Sequence, residues 1–125
     1  MKITPVLIVD EIETLLPFWV DRMGFEKTVE VPDGSRLGFV ILVQNRTEVM
    51  LQSAESVRKD VGNFGDHAGP GSVHLFIEVD DFAGTRRRLD GYPIALAERV
   101  TFYGMREIGV KTPSGHAVIF ATPEK

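Results

Sequence analysis

The sequence predicts an α+β fold made of two βαβββ modules in tandem, forming a curled mixed sheet around a central cavity. Two observations carry the prediction. Ile3–Ile12 and Val73–Phe82 share one grammar: β-branched and apolar residues run into Val, then Asp, an acidic residue and a large apolar one. Each is followed by a helical pattern that stops at Gly plus an aromatic, Gly24-Phe25 and Gly91-Tyr92, and then by three strand-like runs. Such self-similarity is the mark of one supersecondary unit used twice. The expected organisation is a single domain, with modules at 1–53 and 72–125 and a linker at 54–71.

In the first module, Ile3–Val9 is a nearly continuous apolar run, the signature of a strand covered on both faces. Pro5 cannot donate to a ladder, which assigns the strand to an edge or a bulge. A helix is expected over 14–23. Thr14 would be its N-cap, accepting from the Leu16 N–H, with Pro17 inside the first turn where a missing N–H is harmless. Leu15, Phe18, Trp19 and Met23 would form its core stripe, and Gly24 its left-handed stop. Strands follow at Phe25–Val31, Leu37–Gln44 and Glu48–Ser53, joined by turns at Pro32–Ser35 and Asn45–Thr47. Ala54–Val61 can make two helical turns. Gly62–Gly71, with Gly65, Gly69 and Pro70 between, reads as a flexible connection.

The second module repeats the order. A strand at Val73–Val79 leads to a helix near Phe82–Leu89, and strands follow at Ile94–Val100, Arg106–Lys111 and His116–Ala121, with turns at Tyr103-Gly104 and Thr112–Gly115. Arg86-Arg87-Arg88 falls inside the helical pattern and reads as a solvated face.

Composition narrows the function classes. A net charge of -4 and a pI near 5.3 argue against a nucleic-acid partner. No apolar run approaches the roughly 18 residues of a membrane span. No basic stretch followed by an apolar one opens the chain, so no leader is expected. The chain has no cysteine, and so neither disulfides nor thiolate chemistry. The default expectation is a cytoplasmic protein. Phosphate-binding and nucleophile-elbow motifs are missing. Of the histidines His67, His74 and His116, the first lies in the linker and the last in a turn, both expected in solvent. His74 lies in mid-strand, where a half-buried structural role is the commoner reading.

The two βαβββ copies, the Val-Asp-acidic-apolar strand exits, and the closing Tyr103-Gly104-Met105-Arg106-Glu107 and Thr112-Pro113-Ser114-Gly115-His116 resemble the vicinal oxygen chelate superfamily. That superfamily includes glyoxalase, extradiol dioxygenases, fosfomycin-resistance transferases and bleomycin-resistance proteins. The resemblance covers nearly the whole chain outside the linker. It implies metal ligands drawn from His, Gln and Glu, early in each first strand and midway along each fourth. Those positions fall on Thr4, His74, Met50 and Ile119, of which only His74 is a ligand-type residue. Glu48 and Gln52 share Met50's face but are displaced along the strand by about 6.6 Å.

Two functional classes follow from the resemblance. The first is a metal-free protein without cofactor that binds or sequesters a small molecule, like the bleomycin-resistance branch. An acidic chain suits a cationic drug or metabolite. The second is a lyase, isomerase or dioxygenase, using one divalent metal ion or acid–base groups such as His74, Glu48, Tyr103 and Glu107. The depleted ligand set favours the first over an enzyme. Expected lining residues are His74, Met50, Thr4, Ile119, Gln52, Glu48, Phe76, Tyr103 and Glu107, with Phe39, Phe102 and Met105 as further soft walls. Trp19 is assigned to the core instead. Exposed sheet edges predict a homodimer.

Overall fold

The computed structural model of the protein describes residues 1–62 and 69–124. His67 and most of the glycine-rich stretch lie outside the described residues. The chain divides into two compact units, Pro5–Val73, and His74–Lys125 with Met1–Thr4. Both modules are βαβββ, as the duplicated grammar predicts, and the fold is α+β.

The first module runs β1 (Lys2–Val9), a 3₁₀ turn (Glu13–Leu15), a π-helical segment (Pro17–Arg22), β2 (Glu26–Asp33), β3 (Arg36–Gln44) and β4 (Thr47–Ser53), with helix α1 (Ala54–Val61) after it. Its strand order is β2-β3-β4-β1. β1 is parallel to β4, and the other pairs are antiparallel. The β1–β4 register runs from Val6↔Met50 to Val9↔Ser53, so Pro5 sits just outside that ladder and its missing N–H leaves no gap in it. Pro32 occupies a bulge in the β2–β3 ladder, where a missing donor is tolerated. Asn45, at φ 56, makes the two-residue β3–β4 turn. It is one of the few residue types that adopt the left-handed region readily.

The helix expected over 14–23 takes a different form. Ile12 precedes the first turn, and Thr14 does not cap it, since its hydroxyl donates to the Glu11 carbonyl at 3.1 Å. After Pro17, which has no N–H to continue the first turn, the backbone widens. The Met23 N–H reaches the Phe18 carbonyl at 3.0 Å, five residues back. This change of pitch turns the stripe. Leu15, Leu16, Trp19 and Val20 pack on the core, while Phe18 and Met23 are exposed. The expectation that Phe18 and Met23 face inward is thus corrected. The buried core beneath is Ile12, Val40, Leu42, Val49 and Leu51. α1 is capped by Ser53, whose hydroxyl accepts from the Ser56 N–H at 3.1 Å, and it buries Ala54 and Val57.

The second module runs β5 (Val73–Glu78), α2 (Phe82–Arg88), β6 (Leu96–Val100), β7 (Met105–Lys111) and β8 (Ala117–Pro123), in the order β5-β8-β7-β6. This is the first module's order read from the other end, with β5 parallel to β8 as β1 is to β4. Asp81 caps α2, accepting from the Gly84 N–H at 2.9 Å. Arg86, Arg87 and Arg88 are exposed on the helix, as expected. Ile77, Val79, Phe82, Ile108, Val110 and Val118 form the core between helix and sheet.

Candidate functional site

Strand alternation assigns the second module's sheet its two faces. Leu75 and Ile77 of β5, Val79 just after it, Ile108 and Val110 of β7, and Val118 and Phe120 of β8 belong to the core shared with Phe82. Their neighbours project to the opposite face. The register aligns that face in rows: Phe76, Ile119, Gly109 and Leu96 in one, Glu78, Ala121, Glu107 and Arg99 in the next. A third row carries Lys111 opposite Ala117, with His74 one residue before the Leu75–Val118 pair.

Glu107 is the chemical centre of this face. Its side chain is fully buried, and both oxygens are engaged. Oε1 accepts from Arg99 Nε at 3.2 Å and Nη2 at 3.0 Å, and Oε2 accepts from the Tyr103 hydroxyl at 2.6 Å. A buried carboxylate is tolerated only when partnered in this way, because desolvation costs several kcal/mol per ion. The β6–β7 hairpin brings the partners together. Thr101 N–H donates to the Met105 carbonyl at 2.8 Å, the Met105 N–H to Thr101 Oγ1 at 3.0 Å, and the Gly104 N–H to the Thr101 carbonyl at 3.0 Å. Gly104, at φ 82, permits this tight turn. Phe102, at the tip, is 84% exposed and lies edge-on to the Tyr103 ring at 5.1 Å, so it does not line the face as a wall.

His74 is buried on the same face. Burial, and secondarily the Lys111 ammonium, push its imidazole below the ordinary value, which keeps it neutral at neutral pH. His116, exposed in the turn before β8, bonds Ser114 Oγ through Nδ1 at 2.8 Å.

Thr4 is buried, and residues 1–4 group with the second module. Lys2 pairs there with Glu78 at 3.8 Å. Met50 is buried in β4 of the first module, where Val49 and Leu51 belong to the helix-side core. Glu48, Met50 and Gln52 therefore share the other face of that sheet, and Gln52 Nε2 donates to Ser56 Oγ at 3.2 Å. Apart from Thr4, the lining residues named from sequence thus fall into two sets. His74, Phe76, Glu107 and Ile119 share a face, with Tyr103 bonded to it, and Glu48, Met50 and Gln52 share another. Arg99 was not among them. The signal was present, since Arg99 and Glu107 are equidistant from Tyr103 along a hairpin, but only the turn's register makes them partners.

The divalent ion implied by the resemblance can be tested on the donors. Thr4 offers a hydroxyl, Met50 a soft thioether, His74 an imidazole and Ile119 nothing. Zinc takes several imidazole, thiolate or carboxylate ligands, and harder cations take several oxygens. Glu107 is on the right face, but Arg99 and Tyr103 occupy its oxygens. Among the described residues no three His, Asp or Glu side chains converge on one point. The donor set does not fit such an ion.

No curated protein matches the sequence. Among solved structures, a glyoxalase/bleomycin resistance protein/dioxygenase superfamily member from Vibrio splendidus 12B01 is 25% identical, covers 97% of each chain and gives a TM-score of 0.71. Methylmalonyl-CoA epimerase from Mycobacterium tuberculosis is 18% identical over 98% of this chain and 86% of its own, with a TM-score of 0.67. The 2,2',3-trihydroxybiphenyl 1,2-dioxygenase of Sphingomonas wittichii strain RW1 is 22% identical over 95% of this chain and 40% of its own, with a TM-score of 0.61. The last two show the fold alone. A family model matches residues 3–120, nearly the whole of both modules, and the chain therefore belongs to the Glyoxalase/Bleomycin resistance protein/Dioxygenase superfamily.

Proposed function

We propose that this protein binds a small organic molecule, without a divalent metal, on the His74 face of its second module. One observation carries the reading. Glu107 is fully buried and saturated by Arg99 and Tyr103, on the sheet face turned away from α2. A well-packed apolar residue there would stabilise the fold as well or better. The cost is explained if the carboxylate serves to hold the Arg99 guanidinium and the Tyr103 phenol in fixed directions for a ligand. Tyr103 gives its proton to Glu107, so its oxygen keeps lone pairs for a ligand donor. Phe76 and Ile119, paired across β5 and β8, offer apolar surface beside them. The poor donor set at Thr4, Met50, His74 and Ile119 supports the metal-free part.

A second reading, an acid–base isomerase or lyase, draws on the same 2.6 Å contact. Tyr103 would take a substrate proton while passing its own to Glu107. Arg99 opposes this, because its Nη2 holds Glu107 Oε1 at 3.0 Å and the proton transfer would strip the guanidinium of its counter-charge.

The test is metal analysis of the protein as purified, together with a thermal-shift panel of small molecules with and without chelator. The expected result is substoichiometric metal and stabilisation by some ligands that chelator leaves unchanged. Stoichiometric divalent metal, or ligand stabilisation lost on chelation, overturns the proposal.

A further inference from the structure

The charges of the second module are distributed unevenly between pairs. Glu107 is matched by Arg99, Glu78 by Lys2, Glu98 by Arg86 and Arg106, Glu124 by Arg106, and Asp80 by the Met1 amine. Lys111 is different. It is half-buried on the His74 face, and among the described residues it has no carboxylate within salt-bridge distance. Its backbone is fixed by pairing with Ala117 and by a hydrogen bond from the Tyr92 hydroxyl to its carbonyl at 2.9 Å. The Arg99–Glu107 and Lys2–Glu78 pairs are neutral in sum, which leaves the Lys111 ammonium as the uncompensated charge of these rows. The neighbouring imidazole is neutral and adds no competing charge. One row away, about 6.6 Å along the strands, Phe76 and Ile119 are half-buried and apolar.

We infer that this face takes a small organic anion, a carboxylate or its equivalent on an apolar body, with the anion against Lys111 Nζ and the body on Phe76 and Ile119. The inference rests on the ligand-binding reading above and gives it a substrate class. A net charge of -4 favours cations at long range. Screening over about 8–10 Å weakens that pull, whereas the ammonium of a half-buried side chain acts at contact. Charge complementarity at the surface touched therefore outweighs the sum over the chain.

The experiment compares phenylacetate, phenylacetamide and 2-phenylethylammonium, three probes with one apolar body and different charge, by NMR titration of the full chain. Wild type is set beside Lys111→Gln, Lys111→Arg and Arg88→Gln. The last removes the same charge from the exposed side of α2 and serves as the control. Phenylacetate is expected to shift the signals of Phe76, Ile119 and His74 and to bind about tenfold more tightly than the ammonium probe. Lys111→Gln should lower its affinity to that of the amide. Lys111→Arg and Arg88→Gln should keep the preference, and all variants should retain the wild-type spectrum elsewhere. A probe order with the ammonium equal or ahead overturns the inference. So does a preference that Lys111→Gln leaves intact, or a loss that Arg88→Gln reproduces. In those cases, binding of the amide or ammonium at Phe76 and Ile119 still supports the ligand-binding reading. If none of the three perturbs this face at about 20 mM, a concentration that detects millimolar affinity, both fall together.

Discussion

Tyr103 Oη stands 2.6 Å from Glu107 Oε2, so a half-exposed phenol is tied to a fully buried carboxylate. The contact joins a turn residue to the middle of β7 and is charge-assisted, which makes it one of the stronger kinds of hydrogen bond. Tyr103→Phe should cost about 1.5 kcal/mol, at the low end for bonds to a charged group because water can reach the phenol. Glu107→Gln should cost about 2 kcal/mol, since the Arg99 guanidinium loses its counter-charge. In urea unfolding, the double variant should be less destabilised than the sum by about 1 kcal/mol. Additive effects within a few tenths would mean that the two side chains are not coupled in solution.

The duplication was legible because strand exits and glycine stops are local chemistry. Val9-Asp10-Glu11 and Val79-Asp80-Asp81 end strands in both modules, and every strand was placed to within a few residues. The first helix was legible in place but not in pitch. Apolar spacing alone does not reveal that Pro17 divides it into a 3₁₀ turn and a π segment, with Leu16 and Val20 inside in place of Phe18 and Met23. At the site, alternation from His74 correctly gathers Phe76 onto its face. What it misses is Arg99, because a cross-strand partner depends on hairpin register, which a bulge between Leu96 and Arg99 shifts.

The poor donor set around His74 sets the outcome expected on removing its imidazole. His74→Ala should leave metal content unchanged and near zero. It should lower stability by about 1–3 kcal/mol, through lost packing and through polar partners left unmatched. Metal analysis and urea unfolding on the same preparation check both halves. A wild-type protein carrying one equivalent of metal that His74→Ala releases would restore the imidazole to a ligand's role.

The π segment supplies a reporter for the first module. Trp19 is the chain's one tryptophan. It meets Phe25 edge-to-face at 5.2 Å and Phe18 at 5.4 Å. The Phe25 N–H also donates to the Trp19 carbonyl at 2.9 Å. Phe25→Leu should lose about 0.5–1.5 kcal/mol of ring–ring interaction and shift the tryptophan emission. Phe18→Leu, on a half-exposed ring, should cost less. Equal costs at the two positions would contradict the inward turn of Trp19 and the outward turn of Phe18.

The His74 environment fixes the sign of a pH effect. Burial, then the Lys111 ammonium, hold its folded value below the ordinary 6.5. Between those two values the unfolded chain binds a proton that the folded chain refuses, so stability rises with pH across that window. The contribution is fully present above about pH 6.5, shrinks as pH falls toward the folded value, and changes no further below it. Urea unfolding at about pH 7.5 and 5.5 should therefore show wild type losing more stability on acidification than His74→Gln, which cannot titrate there. An anion seated on Lys111 would offset the ammonium's effect on the imidazole and raise its value. Saturating phenylacetate should accordingly narrow the gap between wild type and His74→Gln at the lower pH. A wild-type loss equal to the variant's would mean that His74 titrates alike in both states and is not the buried neutral group described above.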